Sequence, residues 1–257
     1  VVEGCDVLAI GAHPDDVEIG CGGTLARLAA RGVRVGIVDL SRGELGTRGD
    51  VPTRRREAEA AAAILGAAWR TCLGLPDAGV RAEDPAHLEA VVGALRAAAP
   101  RAVFLPHPAD PHPDHGATAR LLLQGVVVGN LARFRPELGG AHRVRLVLAY
   151  PGPRQLIEPT LVVDIGTGGV SKQRALAAHA SQFDPGAGSP TQLASGYFLA
   201  AVEGRDRAYG NLIGCAFGEG FVGFGALPAD EIAWLLGTVG AEPGARSPDS
   251  GSGGRGK

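Results

Sequence analysis

The chain contains no methionine, only four cysteines, two tryptophans and three tyrosines, and almost no net charge. The missing methionine fits a trimmed chain or an alternative start, between which the sequence does not choose. Basic and acidic residues number 25 and 27, a formal charge of −2. Nothing global therefore calls for nucleic acid or an anionic membrane as a partner. Cys5, Cys21, Cys72 and Cys215 include no C-x-x-C pair, and they read as free thiols, mostly buried, in a reducing compartment. No basic segment followed by an apolar run opens the chain, and no apolar run reaches membrane-spanning length. A cytoplasmic protein is the expectation.

What is present is 257 residues that are 45% hydrophobic and 20% charged, enough for one domain with a sizeable core. Strands are predicted at 5–10, 33–38, 69–75, 102–105, 144–150 and 161–165. Helices are predicted at 22–31, 53–65, 85–99, 116–128, 171–180, 192–202 and 230–236. Strands alternate with helices, and the early strands are continuous apolar runs. That pattern implies an α/β fold, a Rossmann-like three-layer sandwich with a mostly parallel sheet. Residues 1–239 are read as a single domain, and the Gly/Ser/Pro-rich stretch 240–257 as a disordered tail.

Polar residues collect where strands end. His13, Asp15 and Asp16 follow the first strand; Arg42 and Glu44 follow the second; Asp77 follows the third; His107, Asp110, His112, Asp114 and His115 follow the fourth. In a parallel sheet these ends share one edge, where open α/β folds bind ligands. Prolines 108, 111 and 113 stiffen the last cluster. Histidines and carboxylates without cysteine suit zinc with an open position. A lone loop histidine is ordinarily just solvated, but two His/Asp clusters on neighbouring strand ends are harder to dismiss. The glycines at 20, 22 and 23 do not make a dinucleotide loop, because they begin well after the strand and Leu25 stands where a further glycine is needed. Gly22 and Gly23 are read instead as allowing close helix–sheet approach.

At these residues the sequence resembles the LmbE-like, or PIG-L-like, family of zinc-dependent N-acetylglucosaminyl deacetylases. Ala12-His13-Pro14-Asp15-Asp16, with Glu18, matches one family motif, and His112-Pro113-Asp114-His115 matches another. The similarity spans roughly residues 5–227. Segments such as Leu75-Pro76-Asp77, Arg135-Pro136-Glu137-Leu138, Ser181-Gln182-Phe183 and Gly196-Tyr197 resemble the bacillithiol-biosynthesis branch, which deacetylates N-acetylglucosaminyl malate.

The resemblance implies that His13, Asp16 and His115 bind one zinc ion and that Asp15 is the general base. It implies that His112, oriented by Asp114, is the acid or cation facing the tetrahedral intermediate, its pKa raised if the two side chains touch. Arg54 and Arg143 would hold sugar hydroxyls or malyl carboxylates, Asp77 a sugar hydroxyl, and Tyr197 the oxyanion. Each of these four has a plain alternative. Arg54 lies in a basic run at a helix start, Arg143 precedes a strand, Tyr197 sits in an apolar segment, and Asp77 suits a turn. Asp110 and His107 read equally as supports of the site or as solvated residues. The glycine-rich segment 42–49 reads as a rim over the sugar. The expected partner is a small-molecule glycoside, and the family implies a homo-oligomer, hexamer or trimer, for which 217–227 is an interface or core. Another glucosaminide, a chitobiose or a thiol conjugate, is the alternative substrate. A non-catalytic Rossmann-like sugar- or nucleotide-binding protein is the alternative class.

Overall fold

Residues 1–238 are described in this computed structural model; the tail expected at 240–257 lies outside them. The described strands are β1 (Val7–Gly11), β2 (Val35–Asp39), β3 (Trp69–Cys72), β4 (Ala102–Pro106), β5 (Leu146–Tyr150), β6 (Leu161–Asp164) and β7 (Gly218–Gly223). They form a seven-stranded sheet in the order β3-β2-β1-β4-β5-β7-β6. β1 pairs parallel with both β2 and β4, and β4 with β5. β7 runs antiparallel between β5 and β6. The chain winds outward in both directions from β1 and β4, so their carboxyl ends flank a topological switch point.

The helices are α1 (Asp16–Ala30), α2 (Val51–Leu65), α3 (Pro85–Ala98), α4 (Pro113–Gly129), α5 (Gly169–Ala178), α6 (Ala180–Phe183), α7 (Phe198–Leu212) and α8 (Ala229–Leu236). Strand alternation divides the core between the two faces. Val7 and Ala9 of β1, with Phe104 of β4, pack under α1, α2, α5 and α8. Leu8 and Ile10, with Val103 and Leu105, pack under α3 and α4. The sheet is thus covered on both faces, which explains why its central strands are apolar throughout.

Three departures from the sequence reading bear on the site. Helix α1 begins at Asp16 rather than near 22. Its glycines permit close contact, as the reading of Gly22 and Gly23 expects: a Cβ on Gly20 would overlap the Tyr150 ring, and one on Gly23 would come within 2.8 Å of Ile165. Helix α7 lies later than 192–202, because Arg205 and Asp206 made a buried helix face look polar. Strand β7 was not foreseen, since glycine holds three of its six positions. Gly220 lies against the Tyr209 ring, where a Cβ would come within 3.0 Å. Region 217–227 is therefore largely a sheet strand with buried Phe221. Cys5 and Cys21 are buried free thiols, whereas Cys72 is exposed. Among the described residues no helix is long and apolar enough to cross a membrane.

Candidate metal centre and active-site cavity

The loop after β1 holds His13-Pro14-Asp15 and runs directly into α1. Asp15 is the residue before the helix and adopts φ 124°, an uncommon backbone for a non-glycine residue. Its side chain makes no cap hydrogen bond. The Asp15 carboxylate instead faces Arg54, with Oδ2 3.4 Å from Nη2. Asp16, one residue on, enters the first turn and points the other way. Its Oδ2 lies 3.4 Å from His13 Nδ1 and accepts the His13 backbone N–H at 2.8 Å. Its Oδ1 lies 3.1 Å from His115 Nε2.

The second strand end supplies the rest. His112 is the N-cap of α4, followed by Pro113 at the first helical position, an arrangement that pre-sets the helix start. His115 sits in the first turn, buried. Each imidazole that meets Asp16 offers its other nitrogen to a further carboxylate. His115 Nδ1 lies 3.2 Å from Asp110 Oδ2. His13 Nε2 lies 3.2 Å from Asp77 Oδ1 and 3.3 Å from Asp114 Oδ2. Carboxylates behind histidines fix the ring and its tautomer in metal sites.

This geometry fits a small divalent cation. Ligand nitrogens of His13, His112 and His115 lie within 4.8 Å of one another, and the same holds for the ligand atoms of His13, Asp77 and Asp114. The arrangement centred on Asp16 accounts for more of the contacts, because both imidazoles turn a nitrogen to that carboxylate and are backed on the far side. The electrostatics agree. Burial alone would raise the Asp16 pKa, but the His115 and His13 rings outweigh it and hold the carboxyl well below the usual range. Burial opposes charge on His115, yet Asp16 and Asp110 push that imidazole up to about 10. Asp15 behaves oppositely to Asp16: burial pushes it up to about 6, only partly offset by Arg54.

Several expected roles change. Asp114 does not hold the His112 ring. Its Oδ2 accepts the Ala78 N–H at 2.8 Å and faces His13, while His112 Nδ1 accepts the Asp114 backbone N–H at 3.3 Å. Burial, then the charges of His115 and His13, push the His112 pKa down rather than up. Asp77 lines the cavity but is engaged, bridging His13 and the Leu45 N–H at 2.8 Å. Arg54 is buried and donates to the carbonyls of Gly43 and Pro14, both at 2.9 Å. Gly43 must be glycine, since a Cβ there would overlap the Arg54 guanidinium. Arg55 and Arg56 lie on the exposed side of α2.

Two residues fall away from the site. Arg143 precedes β5, which runs parallel to β4, so it lies at the amino edge of the sheet, opposite the His/Asp cluster. Tyr197 is 83% exposed at the start of α7; its neighbour Phe198 is the residue that lines the cavity. Asp110 is a support of His115, which the sequence left open; a Cβ on Gly152 would overlap its carboxylate. Arg48, in the segment 42–49 read as a rim, and Gln182, in the segment 181–183, also line the cavity, although neither residue carries an assigned role in the sequence reading. The cavity measures about 440 Å³, within the usual size for a small-molecule site.

Residues 8–126 match the PIG-L family, GlcNAc-PI de-N-acetylase. The chain is 32% identical to the diacetylchitobiose deacetylase of Thermococcus kodakarensis over 191 residues, 69% of this chain and 70% of that protein. It is 30% identical to the 1D-myo-inositol 2-acetamido-2-deoxy-alpha-D-glucopyranoside deacetylase of Streptomyces avermitilis, over 59% of this chain and 63% of that one. The conserved protein TT1542 from Thermus thermophilus superposes with a TM-score of 0.76 at 38% identity, covering 87% of this chain and 96% of that one. The chain belongs to the PIG-L family. It spans 61% to 70% of the length of the curated relatives it matches.

Proposed function

We propose that this protein is a metal-dependent N-deacetylase of an N-acetylglucosaminyl conjugate, with zinc as its metal and N-acetylglucosaminyl malate as the favoured substrate. One observation carries the reading: the consecutive aspartates divide, Asp16 between two carboxylate-backed histidines and Asp15 free of them against Arg54. Family relatives that remove acetyl groups from glucosaminides support it.

In this reading His13, Asp16 and His115 hold the metal. Bound zinc supplies Lewis acidity, which makes water nucleophilic near neutral pH and polarises an amide carbonyl. Asp15 takes the proton of the attacking water and returns it to the departing amine. A carboxylate whose pKa is raised to about 6 is matched to that task near neutrality. Arg54 fixes its direction and keeps it from folding onto the helix N-terminus. His112 has Nδ1 occupied by the Asp114 N–H, so its neutral ring carries the proton on Nε2. It donates from there to the oxygen that gains charge as the carbonyl is attacked. Asp114 and Asp77 hold His13; Asp110 holds His115. Leu45 to Arg48 of the rim and Phe198 shape the sugar-binding wall.

The choice of malate rests on the branch-like segments and on cationic side chains along the cavity wall, not on Arg143. Acetate release measured across N-acetylglucosaminyl malate, diacetylchitobiose and a neutral methyl N-acetylglucosaminide tests it. Turnover of the malate conjugate well above the neutral compounds is expected. Efficient turnover of the neutral compounds alone overturns the malate assignment, and release from none of them overturns the deacetylase reading.

A further inference from the structure

Arg48 sits in the loop between β2 and α2, on the same cavity as His13, Asp15 and Asp16. It is only 5% exposed. Its Nη2 donates to the Asp184 carbonyl at 2.6 Å, while Nε and Nη1 have no hydrogen-bond partner. Among the described residues no carboxylate lies within 4 Å of this guanidinium. The carboxylates of the cluster are each matched: Asp15 by Arg54, and Asp16, Asp77, Asp110 and Asp114 by imidazoles. A buried, uncompensated guanidinium is costly.

The surroundings hold Arg48 in place. Its own carbonyl accepts from Gln182 Nε2 at 2.6 Å. Gln182 is steadied by Ser181 Oγ at 3.0 Å, and Ser181 is gripped by Glu57 of α2 at 2.7 and 2.6 Å. Gly188 closes over the side chain, and a Cβ there would come within 3.3 Å of Nε. A second cation, Arg154, follows β5 at the cavity mouth. It is exposed and bonded only to Gln192 Oε1, at 2.7 Å, with no carboxylate within 4 Å among the described residues.

We propose that Arg48, with Arg154 at the mouth, forms an anion subsite that takes a carboxylate or phosphate carried by the part of the substrate remote from the acetamide. The subsite rests on the deacetylase reading for which group lies at the metal, but its anion affinity does not. An anion there supplies the charge that Arg48 lacks, through charge-assisted hydrogen bonds from Nε and Nη1. To admit it, the Gly188 turn moves off the guanidinium or the side chain swings away from Asp184. This places anion recognition on the rim loop and the 180–192 segment.

The test compares wild type with Arg48→Gln, Arg48→Lys, Arg154→Gln and the exposed control Arg55→Gln. The kcat/KM ratio of acidic to neutral substrate is measured with N-acetylglucosaminyl malate, an N-acetylglucosaminyl glycerophosphate and methyl N-acetylglucosaminide. Binding of malate and of inorganic phosphate to the full chain is measured by calorimetry. Arg48→Gln should lower the ratio and the anion affinity by about tenfold or more, Arg154→Gln by less, and Arg55→Gln not at all; Arg48→Lys should fall between wild type and Arg48→Gln. Whichever of malate and phosphate loses more affinity names the anion. Unchanged ratio and affinity in both Arg48→Gln and Arg154→Gln overturn the proposal, including the case in which the anion lodges on the metal. If Arg48→Gln does not fold, Arg154→Gln and Arg48→Lys decide by the same two readouts. Anion binding that depends on Arg48 in an enzyme that releases no acetate keeps the subsite and removes the deacetylase reading.

Discussion

Asp15 and Asp16 are neighbours in sequence whose carboxylates serve opposite partners, Asp15 meeting Arg54 and Asp16 spanning His13 and His115. The backbone makes the division: Asp15 at φ 124° turns out of the helix line, and Asp16 is already in the first turn of α1.

Asp110 backs His115 from the side away from Asp16. Asp110→Ala should weaken metal retention about 10- to 100-fold, as loss of a carboxylate behind a ligand histidine does. Competition against a chelator of known affinity measures it.

Gly20 lets α1 press onto Tyr150, whose hydroxyl donates to the Ile10 carbonyl at 2.7 Å. Gly20→Ala should destabilise the fold by about 1–3 kcal/mol through overpacking. Gly129→Ala, where a Cβ meets nothing within 4 Å, should leave stability unchanged or raise it. Denaturant midpoints of the two variants provide the comparison.

Lys172 is buried between Asp206 and Glu219, at 2.7 and 2.8 Å. Glu219 also accepts the N–H groups of Gly23 and Thr24 at 2.9 and 2.7 Å, so the trio fastens α1 to β7. Lys172→Met should cost about 3–5 kcal/mol, because it strands two carboxylates without their cation. Equilibrium unfolding reads the loss directly.

Glu18 is fully buried against Arg70 at 2.5 Å and His179 at 3.5 Å. Burial alone would raise its pKa, but the Arg70 and His179 charges outweigh it and lower the carboxyl from 4.5 to about 2. A depressed folded-state pKa contributes stability that is present above 4.5 and is lost as pH falls toward about 2. Unfolding measured with chelator present should show that acid loss in wild type. The increment should be missing from Glu18→Gln.

Much of this arrangement was legible from the residues. The apolar runs gave a doubly covered parallel sheet, and polar clusters after strands one and four marked the edge that holds the cavity. Three signals were hidden. Gly22 and Gly23 are legible as close-approach residues, but glycines still hide the early start of α1 and the whole of β7, because the surfaces that Gly20 and Gly220 admit, Tyr150 and Tyr209, lie far along the chain. Arg205 and Asp206 looked solvent-facing because their burial depends on contacts far along the chain, such as Arg205 donating to the Ile19 and Gly152 carbonyls. The substrate-side residues were hardest. Arg143 and Arg48 are both arginines near strand or helix ends, and only the direction of β5 sends one to the far edge while the rim loop carries the other into the cavity.

The division of labour between the two aspartates is tested most directly by measuring bound zinc and turnover together in Asp15→Asn and Asp16→Ala. Asp15→Asn should keep about one zinc per chain and lose turnover on the order of 100- to 10,000-fold, the usual contribution of a general base. Asp16→Ala should release the metal itself. Asp15→Asn that loses zinc as readily as Asp16→Ala, or that retains turnover within tenfold of wild type, would contradict the account.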